Sequence, residues 1–403
     1  MRVVLSSNVP HYHYAARALE RRGLLHRYIT SIVPGRSRLL ERVLTEHWRL
    51  KLEGRSVNGV PSSRIVSLML PELTGRAARA TKAVSKDHAI ALQNVLYDVE
   101  ARRHVERCDV FHWVSSVGLR SARKAKRLGA LLVCDERAEF GDYQREILTR
   151  EYRELGLPFR PPGLAWDAQL KAEYGLADYL VVGSEYAKDT FVDAGWETAR
   201  VVVVPYGFEP ALFSPAERRT DGRFVVLFCG QITPRKGVHH LVAAFRQLAL
   251  PDAELQLVGP TDPALEQLVR DWMRVPSIRI VGEEPKVRLR ERFAQATVLA
   301  MPSVADAQPL ACLEAMACAC PVIATTAMGT REIVRDGVDG YVIAPRDVDA
   351  LSERLQRLHG DRSLAARLGD SAAARAREYT WDRYEERVLA LYDYLGDRAG
   401  LTT

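Results

Sequence analysis

Lys236, Asp306 and Glu314 are the residues whose type and setting could do chemistry. Lys236 closes the stretch Gly230-Gln231-Ile232-Thr233-Pro234-Arg235-Lys236-Gly237, between an apolar run and an apolar helical pattern. Glycines there let a backbone approach a phosphate, and a lysine near a helix start adds a mobile positive charge. Asp306 and Glu314 lie in MPSVADAQPLACLEAMACACPVIATTAMGT, Asp306 in a polar loop and Glu314 about one and a half turns into a helix expected from about Pro309 to Ala319. Pro309 suits a first turn, where its missing N–H would have no intrahelical partner. The free N–H groups around Gln308 to Leu310 attract anions. A carboxylate accepts two hydroxyl hydrogen bonds at once, and hydroxyl pairs are what riboses and hexoses offer. These groups therefore suit the grip of a phosphorylated sugar. A cation beside a diphosphate that gains charge as its bond to the sugar breaks stabilises the transition state more than the ground state.

The elements that must position these residues are buried strands alternating with helices. Phe224 to Cys229 reads as a strand before the Lys236 loop, and Ala296 to Met301 as one before the Asp306 loop. Pro321 to Ala324 follows Glu314 as another. At 403 residues the chain exceeds a single core, so two domains are expected. The break is placed near residues 206–222, where Pro210, Pro215 and a charged run end the periodicity. Domains 1–205 and 206–379 follow, with a final amphipathic helix from about 380 to the end.

The first half opens with a strand (Met1 to Ser6), a loop (Ser7 to Tyr12, including His11) and a helix closed by Gly23. That order announces a doubly wound sheet, whose ligands sit beyond the carboxyl ends of its strands. Arg36 to Arg107 reads as mainly helical and basic, with a weaker strand near Ile65 to Leu68. Asp109 to Val114 is a strand ending near His112, and Ala130 to Cys134 leads into Asp135, Glu136 and a loop to Glu139. His11, His112, Asp135 and Glu136 are thus candidates for binding an acceptor at the cleft, His112 also for deprotonating it.

Composition excludes several classes. No apolar stretch approaches the roughly 20 residues that span a bilayer, and the N-terminus does not read as a signal peptide. The six cysteines fall mostly in apolar runs, as reduced thiols in a cytoplasmic protein would. Residues 1–205 carry 32 Lys+Arg against 24 Asp+Glu, a net of +8, and residues 206–403 carry 25 against 27, a net of −2. The excess lies in stretches such as RSRLLERVLTEHWRLK and RSARKAKR, which suit peripheral contact with an anionic membrane face or a lipid-linked acceptor. An aromatic-and-basic motif for nucleic acid is absent, as is the GxGxxG of a nicotinamide dehydrogenase.

The run from Met301 to Pro345 resembles the signature of the retaining family-4 glycosyltransferases with the GT-B fold, whose pattern is Pro-Ser, a Glu, seven residues and a second Glu in Glu-Ala-Met-Ala. Glu314 in LEAMA matches the second Glu, while Asp306 replaces the first and is one methylene shorter. The family's Gly-Arg, four residues, Lys-Gly is matched at Lys236-Gly237 but has Gln231 for the Arg, with Arg235 nearby. The first loop often carries Gly-Gly in that family; here it reads Asn8-Val9-Pro10-His11. Pro205-Tyr206-Gly207 resembles its interdomain linker.

The resemblance implies an α/β protein of two Rossmann-like domains facing across a cleft, acceptor in the first and nucleotide sugar in the second. It implies transfer of a hexosyl unit, with retained configuration, from a nucleoside diphosphate sugar to an alcohol in cell-surface polysaccharide or glycolipid assembly. No bound cofactor or metal is expected. Lys236, Asp306 and Glu314 take the catalytic places, and Gly230, Gln231, Arg235, Gln308, Pro309 and Leu310 join Lys236 and Glu314 around the donor. The replacements at Asp306 and Gln231 also fit a silent sugar-nucleotide or glycan binder; an epimerase or phosphorylase on the same fold is a further reading.

Overall fold

A computed structural model describes residues 1–33, 57–80, 85–159, 161, 164–216 and 222–401. The basic stretch 36–51 therefore lies outside the described residues. The first sheet contains β1 (Val3–Ser7), β2 (Leu25–Thr30), β3 (Ile65–Ser67), β4 (Val110–Val114), β5 (Leu131–Glu136), β6 (Tyr179–Val182) and β7 (Val201–Val203), in the order β3-β2-β1-β4-β5-β6-β7. The second contains β8 (Phe224–Cys229), β9 (Ala253–Val258), β10 (Ile278–Gly282), β11 (Val298–Met301), β12 (Val322–Thr325) and β13 (Gly340–Ile343), in the order β10-β9-β8-β11-β12-β13. Every pairing between these strands is parallel. Apolar runs such as Phe224–Cys229 form central strands because helices cover both faces, and each of its six residues is buried.

In both sheets the strand order reverses beside the first strand, between β1 and β4 and between β8 and β11. A parallel sheet leaves a crevice at such a reversal, outside the carboxyl ends of the strands. The Lys236 loop follows β8 and the Asp306 loop follows β11, so these two loops flank the crevice of the second sheet.

Each sheet has its own core, and the chain crosses between them twice, at residues 206–208 and 379–381. The crossings lie side by side: the Phe208 N–H donates to Tyr379 O (3.0 Å) and the Trp381 N–H to Phe208 O (3.2 Å). Gly207 is required there, since a Cβ would stand 2.4 Å from the Thr380 carbonyl carbon. The last helix, Trp381–Ala399, is capped by the Thr380 hydroxyl and packs on helix Tyr12–Arg21 of the first domain. Glu385 on it takes hydrogen bonds from both Arg17 and Arg21 (2.5 and 2.8 Å).

Helix Gly141–Glu154 is not marked by an apolar stripe in the sequence. Its fully buried residue is a charge, Glu151, and the other faces carry Arg and Glu. It forms because it lies on the turn Pro234–Lys236 of the other domain, a contact that periodicity does not reveal.

Candidate functional site

The Lys236 turn owes its shape to glycine. Gly237 holds φ +64, and a Cβ on it would stand 1.9 Å from Pro302 O in the β11 loop. Gly259, at φ +138, is equally bare: its Cβ would stand 1.9 Å from Gly230 O. Backbone from the ends of β8, β9 and β11 thus meets with no side chain between, which packs these loops closely at the crevice.

Two cations and one carboxylate, Asp306, meet beside these loops. The Lys236 ammonium is hydrogen-bonded to Asp306 Oδ2. Arg235 donates to Ala305 O at 3.0 Å, and its guanidinium stands 3.8 Å from Asp306 Oδ1. Arg235 therefore points to the Asp306 loop, whereas Gln231 is exposed to solvent. Asp306 is buried and fixed at the backbone, its N–H donating to Ala327 O and its carbonyl accepting from Gly329 N. Glu314, the fifth residue of helix Leu310–Ala317, is also buried and takes a hydrogen bond from Lys286 Nζ at 3.1 Å. Burial raises the Glu314 pKa above the usual carboxyl value and Lys286 opposes it.

The helix start is occupied differently from expectation. Pro309 is the residue before the helix, with extended ψ 101, so the free N–H groups are those of Leu310 and Ala311. The Gln308 side chain turns to the first domain: its Oε1 accepts from Tyr206 N at 3.0 Å, and a Cβ on Gly183 would meet it at 2.4 Å. Gln308 thus pins the linker, and Leu310 packs against both cores.

The first-domain candidates are mostly interior. His112 is not at a loop tip but is the third of the five β4 residues, 3 % exposed, with Nδ1 2.8 Å from the Tyr392 hydroxyl. Alternation along a strand turns one residue into the sheet's packed face, and the last helix covers that face. Asp135 is still on β5; its Oδ2 lies 3.7 Å from His112 Nε2 and its Oδ1 accepts from the Tyr206 hydroxyl at 3.5 Å. Burial, then the charge of Asp135, raises the pKa of Tyr12, Tyr206, Tyr384 and Tyr392 alike, which marks a tyrosine-lined interior. Glu136 accepts from the N–H groups of Arg137 and Ala138 and from the Tyr174 hydroxyl, closing its own turn. These three residues brace the domain and do not form an open acceptor pocket. His11 stacks on Trp381 (centroids 5.5 Å apart, 19° between planes) beside Tyr206. Burial first, then Arg137 and other nearby cations, lowers its pKa to about 3, so its ring is neutral at pH 7.

Glu139 of the first domain lies near charges of the second. It is 2 % exposed; Oε2 accepts from Gln144 at 2.7 Å and Oε1 has no hydrogen-bond partner. Burial raises its pKa, Arg235 opposes this and Asp306 adds to it, so it faces both residues of the other domain. Ser184 Oγ also crosses the cleft, donating to Ala307 O at 2.6 Å. Lys286 is the partner that motif reading missed: its side chain is mostly exposed on a basic helix, and nothing in its spacing marks it.

Residues 212–375 match the family model described as glycosyl transferases group 1. That match falls within the second domain. A mannosyltransferase named MMP alpha-(1->4)-mannosyltransferase, from Mycolicibacterium hassiacum, is 31 % identical over 236 residues, 56 % of each chain. A D-inositol 3-phosphate glycosyltransferase from Acidothermus cellulolyticus is 31 % identical over 259 residues, 57 % of each chain. The chain thus spans little more than half the length of these curated relatives. Among solved structures, sucrose-phosphate synthase from Thermosynechococcus elongatus matches with TM-score 0.66 at 20 % identity, over 99 % of this chain and 100 % of that one. Anabaena HepE in complex with UDP-glucose matches with TM-score 0.65 at 15 % identity, over 98 % and 100 %. The fold is GT-B, as the glycosyl transferases group 1 resemblance implies. No helix among the described residues is long and apolar enough to cross a membrane.

Proposed function

We propose that this protein is a retaining hexosyltransferase that moves a sugar from a nucleoside diphosphate to an alcohol, with no metal at the reaction centre. The observation that carries this reading is the meeting of Lys236, Arg235 and Asp306 at the crevice between β8 and β11, with Glu314 buried on the helix that follows. Lys236 and Arg235 receive the diphosphate, Asp306 the sugar hydroxyls and Glu314 the ribose hydroxyls; the Leu310 and Ala311 N–H groups add to the sugar and phosphate end. Binding moves Lys236 from Asp306 to the phosphate, leaving Asp306 free to accept from the sugar. As the bond from the anomeric carbon to the phosphate oxygen breaks, the acceptor oxygen bonds to that carbon on the same face. The departing phosphate takes the acceptor's proton. Relatives named as a mannosyltransferase and a D-inositol 3-phosphate glycosyltransferase, and a GT-B neighbour holding UDP-glucose, support the donor class.

A membrane-facing role for the first domain, in glycolipid or surface-polysaccharide assembly, is supported by one surface hollow. Val99 and Leu128 line it together with Arg102, Arg103, Lys124 and Arg127, and Leu92 is exposed on the same helix as Val99. Such a patch suits a lipid-linked acceptor at an anionic, cytoplasmic membrane face.

The test is nucleotide release from UDP-, GDP- and ADP-sugars with EDTA present and cell extract as acceptor. One donor is expected to turn over, and Lys236→Ala to reduce kcat by about 10²–10³, as for loss of one preorganised charge-stabilising donor. Donor binding without turnover favours the silent binder; no binding to any nucleotide sugar removes both readings.

A further inference from the structure

A second polar cluster joins the two domains a few residues beyond Lys236. Glu151, on helix Gly141–Glu154 of the first domain, is fully buried. His239 and His240 stand at the start of helix Val238–Leu248 of the second. Glu151 Oε2 is 3.1 Å from His239 Nε2 and 3.2 Å from His240 Nε2, while Arg346 Nε bonds to Oε1.

Consecutive residues on a helix point about 100° apart and do not ordinarily meet. Here the two imidazole rings lie 3.9 Å apart between centroids, and both Nε2 atoms converge on one oxygen. Zinc takes imidazole nitrogen at about 2.0–2.1 Å and carboxylate oxygen at about 2.0–2.2 Å, so neighbouring ligand atoms of a tetrahedral site stand roughly 3.3 Å apart. Oxygen and nitrogens of this trio already approach that spacing, and all three ligand atoms lie within 4.8 Å of one another.

The surroundings suit a metal as well. Burial works against ionisation of Glu151, yet the hydrogen bonds from His239 and His240 and the charge of Arg346 outweigh it, and the carboxyl stays below its ordinary range. Arg346 on the far oxygen is the kind of outer contact that orients a ligating carboxylate. It is set there by a left-handed backbone, φ +67, rare for a residue with a side chain. A metal would take the place of the proton that the ring Nε2 atoms share with Glu151.

We propose that Glu151, His239 and His240 form a binding site for a divalent transition-metal ion of the zinc class, with one position left to water. Two imidazoles and one carboxylate select zinc-like ions over magnesium, which prefers an all-oxygen shell. The ion ties the first domain to the helix that begins immediately beyond Lys236 and Gly237. It is a clasp between domains, separate from sugar chemistry, and it stands whether or not the transferase reading does.

The test uses the metal-stripped full chain without nucleotide, titrated with ZnCl2, CoCl2 and MgCl2 near neutral pH. One zinc per chain, visible absorption of tetrahedral cobalt and a raised Tm with zinc are expected, with no response to magnesium. His239→Ala and His240→Gln, the latter keeping a hydrogen-bond donor toward Glu151, are each expected to weaken zinc binding at least about tenfold. X-ray absorption at the zinc edge of the wild type should show imidazole and oxygen with no sulfur, which keeps the test independent of how the variants fold. Absence of saturable zinc binding by the folded wild type overturns the site. So does a sulfur-bound zinc, or affinity unchanged in both variants, because the ion then sits elsewhere among the ten histidines and six cysteines.

Discussion

The two walls of the cleft are built on opposite principles. The second-domain wall has glycines where backbone packs on backbone, and two cations, Arg235 and Lys236, held by the Asp306 loop. The first-domain wall is side chains already satisfied by one another: His112 with Tyr392, Asp135 with Tyr206, Glu136 with its own turn. A wall whose polar groups are paired inside its own core gains little from a ligand, whereas one that carries two cations at a crevice can give an anionic ligand a partner. Under the proposed function, donor affinity is expected from the second domain, while the first contributes rigidity and shape.

Gly237→Ala should break this contrast most severely. A Cβ 1.9 Å from Pro302 O at φ +64 cannot be accommodated without moving the β11 loop. We expect loss of about 3 kcal/mol or more of stability and no measurable donor binding, read by thermal melting and nucleotide titration. On the opposite wall, the pH dependence of Glu173 comes next in size. Glu173 holds Trp113 Nε1 and Ser116 N behind the β4 loop, and burial pushes its pKa to about 7 from 4.5. Between those values the folded state keeps a proton that the unfolded state has lost, so stability falls as pH rises through this window and levels off above it. The drop is about 3 kcal/mol at most, and Glu173→Gln should flatten it in melts run from pH 4 to 8.

Glu314→Gln sharpens the contrast on the donor side. It keeps size but removes the charge-assisted acceptor, and the donor Kd should rise about tenfold with little change in Tm. His112→Gln should show the smallest functional effect, under about threefold in turnover, while costing about 1 kcal/mol through the lost Tyr392 bond. If His112→Gln instead slowed turnover more than Glu314→Gln weakened the donor, the division of labour between the walls would be wrong.

Legibility follows the same line. Phe224–Cys229 is legible to the residue because a long apolar run carries its own energy of burial. The turn that ends at Lys236-Gly237 and the helix that carries Glu314 are legible because a turn packed on backbone needs glycine and the helix after Asp306 has a marked start. His112 was misplaced by a short distance along one strand, enough to exchange a cleft for a core. Helix Gly141–Glu154 was missed because its buried residue is a carboxylate whose partners lie about 90 and 195 positions away. Lys286, 28 positions before Glu314, left no local sign for a similar reason.

The sequence by itself determined the alternation of strand and helix, the bare turn at Gly237 and the charge types offered to a sugar phosphate, since each depends on neighbours a few residues apart. Only the tertiary structure decided which of those charges are held and by what: Lys236 on Asp306, Lys286 on Glu314, and Glu151 between two histidines and Arg346. Pairings of that kind depend on which loops the sheet order brings together, and Coulomb attraction and hydrogen bonding act over a few ångströms of space whatever the distance along the chain.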